Sequence, residues 1–549
     1  MNNNILINIY LSLGIFILFS FQTLDFRIDL TKNERFTLKD KTVLKIKEIE
    51  SKISIDVYLS GDLPYSYRKL HTETKEILNS FTSINKNLNV KFINPFNNNQ
   101  TIESVINKMS SYGMNPDYII KNNKQSIDQK VIFPWIKLND NKNSVLISLT
   151  DSNLGESNEQ IVVNGIEQLE YKIIDGLFRL NNNKKSKLAF ITSHETSPNI
   201  KISDWISELQ TYYEVIAFDL KKYKSNPSET FNNLTTFPLI IISNPKESFS
   251  QEEKFILDQY QINGGNILWL INTVKIDVET LYENNGKTLG ISNYLNLDDY
   301  FFNYELRINT ELIKDIYCAA LVIANGTGNN TKYLPFPWVY YPISKPKNNN
   351  IISNGVGNLW FRFTSSIDTL KGFANKKILV KSSNYNQQQS IPSIIDLNTA
   401  IEPIELHKYN SKSKPLIVLS EGNFSSLFEN RIHPISILKY KNNGNSKFIL
   451  IADGEFGESQ IENDKTLELG YDKWTNNFYS NKIFLMNSVH YLINNYDLLE
   501  IRSKEVKLNF LDKVKITNRG TFQSVIFLIT PLFFLFGLNI LFIKYRNYN

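Results

Sequence analysis

Apolar and polar positions alternate along most of this chain with short, changing periods, but two stretches are apolar throughout. They are Ile5–Leu24 (ILINIYLSLGIFILFSFQTL) and Phe522–Ile543 (FQSVIFLITPLFFLFGLNILFI). Each is uncharged over the roughly 20 residues that cross a bilayer core as a helix. Pro531 and Gly537 fall inside the second run, where spanning helices tolerate them. The pattern predicts a membrane helix at each end, 5–24 and 522–543, flanked by cytoplasmic residues 1–4 and 544–549, with a large body between. Two alternatives stand beside it: a buried core helix for Phe522–Ile543 and a cleavable signal peptide for Ile5–Leu24. Residues 1–4 supply no basic segment and no small-x-small site follows the first run, which favours an uncleaved anchor.

Between the two runs the period switches repeatedly. Helical spacing in Lys39–Ile49, Tyr67–Ile84 and Thr101–Tyr112 is interleaved with strand-like Ile53–Leu59 and Leu88–Asn94. Asp128–Leu138 and Ser144–Thr150 read as a hairpin. This order predicts a small thioredoxin-like α/β domain over 25–150; it has no C-x-x-C, so redox work is excluded. A linker and connecting helix, Val163–Leu180, fill 151–180. The runs Leu188–Ser193, Leu239–Ser243 and Asn266–Ile271 are continuous apolar blocks, as in buried parallel strands. With helices at Ser203–Tyr212 and Gln251–Ile262 they predict a doubly wound parallel sheet over 181–288. A Gly-, Asn- and Pro-rich β insertion covers 289–414. The sheet resumes over 415–497 with Leu416–Ser420, Phe448–Ala452 and the helix Asn481–Asn494. A membrane-proximal segment, 498–521, completes an α/β chain anchored at both ends.

Composition narrows the function. A charge of +5 over 549 residues, without a dense Lys/Arg block, makes nucleic acid a poor partner. The single cysteine, Cys318, excludes an internal disulfide and a cysteine zinc site. The other histidines, His71, His407, His433 and His490, lack ligand spacing, and neither metal nor cofactor is expected. Gly286-Lys287-Thr288 resembles the end of a phosphate loop, but Leu281 stands where the earlier glycine is required. Two polar pairs follow buried strands directly: His194-Glu195 and Asp453-Gly454-Glu455. Ligands of open α/β sheets bind past the carboxyl ends of strands. His194, Glu195, Asp453 and Glu455 are therefore the candidate contacts for a ligand or partner, with turn chemistry as the plainer reading. In the last apolar run, Ser524, Thr530, Gly537 and Asn539 are the small or polar positions where a neighbouring helix could pack closely.

An ordered set of stretches resembles one family, the gliding-motility-associated ABC transporter auxiliary proteins (GldG). The matching pieces include RIDLTKNERFTLKDKT, DVYLSGDLPYSYRKLHTETKEIL, LAFITSHE, GGNILWLIN, PFPWVYYPI, WFRFTSSIDTL, LIADGEF and FLMNSVHYLI, in family order over nearly the whole chain. The resemblance implies a bacterial inner-membrane protein with a periplasmic body, partnered by a multispan permease and a cytoplasmic ATPase. It also implies an amidotransferase-like α/β middle domain without the catalytic cysteine. That fold is shared with an intraflagellar-transport subunit and an oligosaccharyltransferase subunit. The family shows Gly-His-Gly-Glu where this chain has Ser193-His194-Glu195-Thr196, and the loss of both glycines argues against a tight ligand-cradling turn. Local Lys/Arg counting favours a cytoplasmic body, so the periplasmic side comes from the resemblance alone.

The expectation is a non-enzymatic, membrane-anchored auxiliary or substrate-binding-like subunit, in contact with membrane lipid, the permease, the ATPase and an unidentified small-molecule or protein ligand. Two rivals remain. One is a tethered hydrolase or amidotransferase using His194, Glu195, Asp453 and Glu455. The other is a solute receptor with a cleft between its two α/β domains.

Overall fold

The computed structural model describes residues 37–502, apart from 97–100, 124–125, 151–156, 182–184, 284, 326–330, 348–349 and 438, together with single positions between 529 and 544. The first α/β unit runs α1 (Asp40–Lys47), β1 (Ile53–Val57), α2 (Tyr65–Ile84), β2 (Leu88–Phe92) and α3 (Ile102–Ser111). It continues with β3 (Asp117–Asn123), β4 (Ser126–Ile132), β5 (Trp135–Asn139) and β6 (Ser144–Ser148). Alternating burial in β1 sets one face inward, and Leu70, Thr74, Leu78 and Phe81 of α2 are buried at helical spacing. The sheet order is β2-β1-β5-β6, with β2 parallel to β1 and β5 antiparallel to it. The segment expected as one strand, Asp128–Leu138, divides at Pro134. Its first part pairs with β3 in a separate hairpin, and its second joins the four-stranded sheet. Proline removes a ladder donor, which is why the strand cannot run through.

Two helices, α4 (Asn158–Glu167) and α5 (Leu169–Asn181), replace the single expected connecting helix. Ser157 and Gln160 form a capping box that starts α4.

The large sheet is built from β7 (Lys187–Ile191), β8 (Glu214–Phe218), β9 (Leu239–Ser243) and β10 (Asn266–Leu270), with helices α6 (Asn199–Tyr212), α7 (Pro227–Leu234) and α8 (Gln251–Ile262) between them. Every residue of β9 and β10 is buried, as continuous apolar runs require when both faces are covered. One face packs Ile240, Ile242 and Trp269 against Phe231, Phe255 and Tyr300. On the other, Trp205 of α6 meets Phe190 edge-on at 5.2 Å. Each such side chain contributes about 1.5–3 kcal/mol on burial.

The insertion contributes the long hairpin β11 (Cys318–Asn325) and β12 (Lys332–Ser344) and several short strands. The chain then returns through β13 (Asn375–Lys381), β14 (Pro415–Ser425) and β15 (Asn443–Ile451), followed by α9 (Asn481–Leu492) and α10 (Tyr496–Arg502). The sheet order is β13-β14-β15-β10-β9-β7-β8. β15 is parallel to β10, but β14 and β13 run antiparallel to their neighbours. The expected wholly parallel sheet is thus a mixed one. The ends of β14 and β15 pair directly, Ser425 opposite Asn443, so the segment between them closes an antiparallel return rather than a crossover.

The expectation of anchoring at both ends is corrected as well. Among the described residues no helix is long and apolar enough to cross a membrane, and the fold they form is a mixed α/β body. The run Ile5–Leu24 lies outside the described residues. Phe522–Ile543 is described only at scattered helical positions, including Thr530 and Gly537; Ser524 and Asn539 lie outside.

Candidate functional site

The chain leaves β7 for β8 on one side and returns to β9 on the other, so the sheet has a topological switch point between β7 and β9. A crevice past the strand ends is the usual ligand site of such a sheet. Here the two loops close on each other. His194 O accepts the N–H of Lys246 at 2.8 Å, and Ser243 O accepts the N–H of Ser197 at 2.9 Å. The two serine hydroxyls meet at 3.0 Å. The turn after β7 places His194 at φ 68° and Glu195 at φ 47°. The chain thus makes a tight left-handed turn without glycine, at a cost of about 1–2 kcal/mol per residue.

His194 is 1 % exposed and stacks on Phe249 with ring centres 4.0 Å apart. Its Nε2 meets Glu253 Oε2 at 3.0 Å and its Nδ1 meets Ser193 Oγ at 2.9 Å. Glu253 is the third helical residue of α8 and also accepts the N–H of the cap residue Ser250, at 2.8 Å. Burial works against the Glu253 carboxylate, but the bonds from His194 and Ser250 win and hold its pKa below the usual range. Glu195, the expected partner of His194, is exposed instead.

The loop after β15 forms the second half of this edge. Asp453 is fully buried and accepts the N–H groups of Arg362 at 2.7 Å and Glu455 at 2.9 Å. Burial pushes its carboxyl up to about 8 despite the opposing charge of Arg362. Arg362 comes from the insertion. Its guanidinium donates to the carbonyls of Glu455 and Glu458 and lies 3.5 Å from the Glu455 carboxylate. Glu458 ties the loops together: it accepts Ser197 Oγ and Asn244 Nδ2 at 2.8 Å each, and Lys201 Nζ at 3.0 Å. Burial works to raise both carboxyls: it prevails at Glu455, whereas at Glu458 Lys201 and Arg362 outweigh it and hold the pKa down. Gly454 is required by this packing, because a Cβ there would lie 2.4 Å from Asn244 Oδ1.

Among the described residues no hydrogen bond joins His194 to Asp453 or Glu455, and no group of three His, Cys, Asp or Glu could hold a metal. The edge brings the singled-out residues into neighbouring, interlocked loops rather than one reactive cluster. Glu253, Arg362, Asn244 and Glu458 carry most of its bonds. Only Glu253 had a local signal, the Ser250-x-x-Glu253 capping box. The partners of Arg362 lie more than ninety residues away in sequence, beyond any local pattern.

A second candidate is a cleft of about 550 Å³ between α4, α5, α6 and α9, lined by Tyr171, Glu208, Tyr212, Lys482, His490 and Arg502 among others. Its charges are already engaged. Lys482 faces Asp204 at 3.2 Å and Glu468 at 3.4 Å. Arg502 lies over the Tyr171 ring at 4.7 Å and donates to Asn487 Oδ1 at 2.9 Å. Tyr212 donates to Asp175 of α5 at 2.8 Å. Burial, with Arg502 nearby, pushes the His490 pKa down to about 3, so this imidazole is neutral at ordinary pH. A ligand entering here would have to displace bonds that join α5 and α10 to the sheet domain.

Comparison with known proteins gives four findings. Residues 32–139 match a domain of unknown function (DUF7088). A solved structure, the mmIFT52 N-terminal domain, is similar at 14% identity over 56% of this chain and 97% of that chain, with a TM-score of 0.33. No curated protein matches the sequence. Residues 185–488, which hold the whole seven-stranded sheet, its insertion and the interlocked edge, match the family described as ABC-type uncharacterized transport system, and the chain belongs to that family of ABC transport auxiliaries.

Proposed function

We propose that this chain is a non-enzymatic, substrate-binding-like auxiliary subunit of an ABC transport complex serving bacterial gliding motility. Its body works on the periplasmic side of the inner membrane against a separate multispan permease, and a cytoplasmic ATPase subunit hydrolyses the nucleotide. The observation that favours binding over catalysis is the closed switch point. His194 is stacked and bonded on both ring nitrogens, and Asp453 is sealed by Arg362 and Glu455. An acid or base so enclosed reaches no substrate proton.

Affinity purification of the tagged full-length chain from solubilised membranes tests the assembly: permease and ATPase should co-elute. A chain that elutes alone under conditions that keep other transporters intact would refute it. Deletion of the gene should abolish spreading on surfaces. A cysteine placed at exposed Glu195 should react with a membrane-impermeant maleimide once the outer membrane is opened; labelling only after lysis would put the body on the cytoplasmic side.

A further inference from the structure

The β-rich insertion contains a cavity of about 630 Å³ that neither the sheet edge nor the interdomain cleft uses. Its walls come from the start of β11, the end of β12, the end of β13 and the segment that follows β13. Fourteen residues line it, and they include three lysines, Lys345, Lys347 and Lys381, and no carboxylate. All three lysines are exposed, and none has an ion-pair partner among the described residues. This contrasts with the interdomain cleft, where Lys482 meets three carboxylates. Asp315, which bonds two residues of the wall, is itself fully buried. It is spent on the N–H and Oγ of Ser383, both at 2.7 Å, and on the N–H of Tyr317 at 3.0 Å. The wall is otherwise supplied with hydroxyl and amide groups, and with the apolar side chains of Ile343 and Ile378.

Three like charges around one concavity repel one another, and among the described residues no carboxylate pairs with any of them. A concave, low-dielectric wall focuses their field on whatever enters. The volume is within the range of small-molecule sites. We propose that this cavity binds a multivalent oxyanion, a small phosphorylated or polycarboxylated molecule, held by the ammonium groups of Lys345, Lys347 and Lys381. Lysine suits this as a point charge that follows an anion without demanding a planar, two-pronged partner. The proposal stands apart from the transport assembly, since it concerns the isolated chain.

The test is calorimetric titration of the purified full-length chain with inorganic pyrophosphate and, separately, citrate. Saturable one-to-one binding is expected with at least one of them, weakening as salt is raised. The triple variant Lys345→Gln, Lys347→Gln, Lys381→Gln should bind at least tenfold more weakly, whereas the triple Lys→Arg variant should retain binding. The three side chains are exposed, so circular dichroism should show both variants folded. A second readout uses Cys318, the only cysteine of the chain, which lines the same cavity. Bound anion should slow its alkylation in the wild type and not in the triple Gln variant. Flotation with phosphatidylglycerol vesicles identifies the source of the anion: capture that pyrophosphate competes away assigns the site to a lipid phosphate, and no capture assigns it to a free anion. Failure of pyrophosphate, citrate and vesicles alike to bind would overturn the proposal. So would binding that the triple Gln variant leaves unchanged.

Discussion

Asp453→Asn is the sharpest probe of the sheet edge. Asp453 is fully buried, and burial lifts its carboxyl from the ordinary aspartate range to about 8. Arg362 opposes that shift, and the neighbouring Glu455 carboxylate adds to it. The sign follows from proton binding. Between about pH 4 and pH 8 the folded chain holds a proton that the unfolded chain has released, so stability falls as pH rises through that window. At about 1.4 kcal/mol per pH unit, the full effect is on the order of 5 kcal/mol. Asparagine cannot ionise and removes this slope. It also turns an NH2 toward one of the two N–H groups that Asp453 now accepts, which costs about 1–3 kcal/mol at every pH. The variant should therefore be less stable than wild type at pH 5 and equal or more stable at pH 8.5. Guanidinium unfolding of both proteins at pH 5, 6.5, 8 and 9 measures it. If the two stabilities run parallel with pH, or if wild type gains on the variant as pH rises, then Arg362 and the two N–H donors stabilise the carboxylate and the reasoning is wrong.

Glu458→Ala should destabilise by about 1–3 kcal/mol, since it takes the acceptor from the buried Asn244 and Ser197 side chains; chemical denaturation reads this. Glu195→Gly should stabilise by about 1 kcal/mol, because Glu195 is exposed at φ 47° and glycine removes the left-handed penalty; a rise in melting temperature checks it. Gly454→Ala should cost about 1–3 kcal/mol by forcing Asn244 away from Glu458, seen as a lower melting temperature. His490, held down to about 3 by burial, favours the neutral form, so its contribution is present above about pH 6.5 and is lost as pH falls toward 3. His490→Gln should flatten that acid loss in unfolding curves taken at pH 7 and 4.5.

Much of the fold was readable locally. The strand Leu239–Ser243 and the helix Gln251–Ile262 fall where an apolar run and a capping box place them. The break at Pro134 was readable in principle, since a proline cannot sit inside a ladder. The direction of β14 was not, because an apolar run buried on both faces looks the same whether it lies parallel or antiparallel. The candidate site was half legible. Position after a strand picked out His194 and Asp453, but nothing local said that both would be enclosed. The left-handed turn at His194 and Glu195 also defied the local reading, for the bonds from Lys246 and Ser197 to the neighbouring loop offset its strain.

The amino-acid sequence by itself determined most of the elements: which segments are strands or helices, and where caps and prolines end them. The elements follow from period, propensity and turn chemistry, which act within a few residues. Only the tertiary structure decided the partners. It set Glu253 against His194 across 59 positions and brought Arg362 from the insertion onto the Asp453 loop. It left three lysines around one cavity without a carboxylate. The physical reason is that a buried charge is governed by whatever the fold carries to within a few ångströms of it, and that distance has no counterpart in sequence spacing.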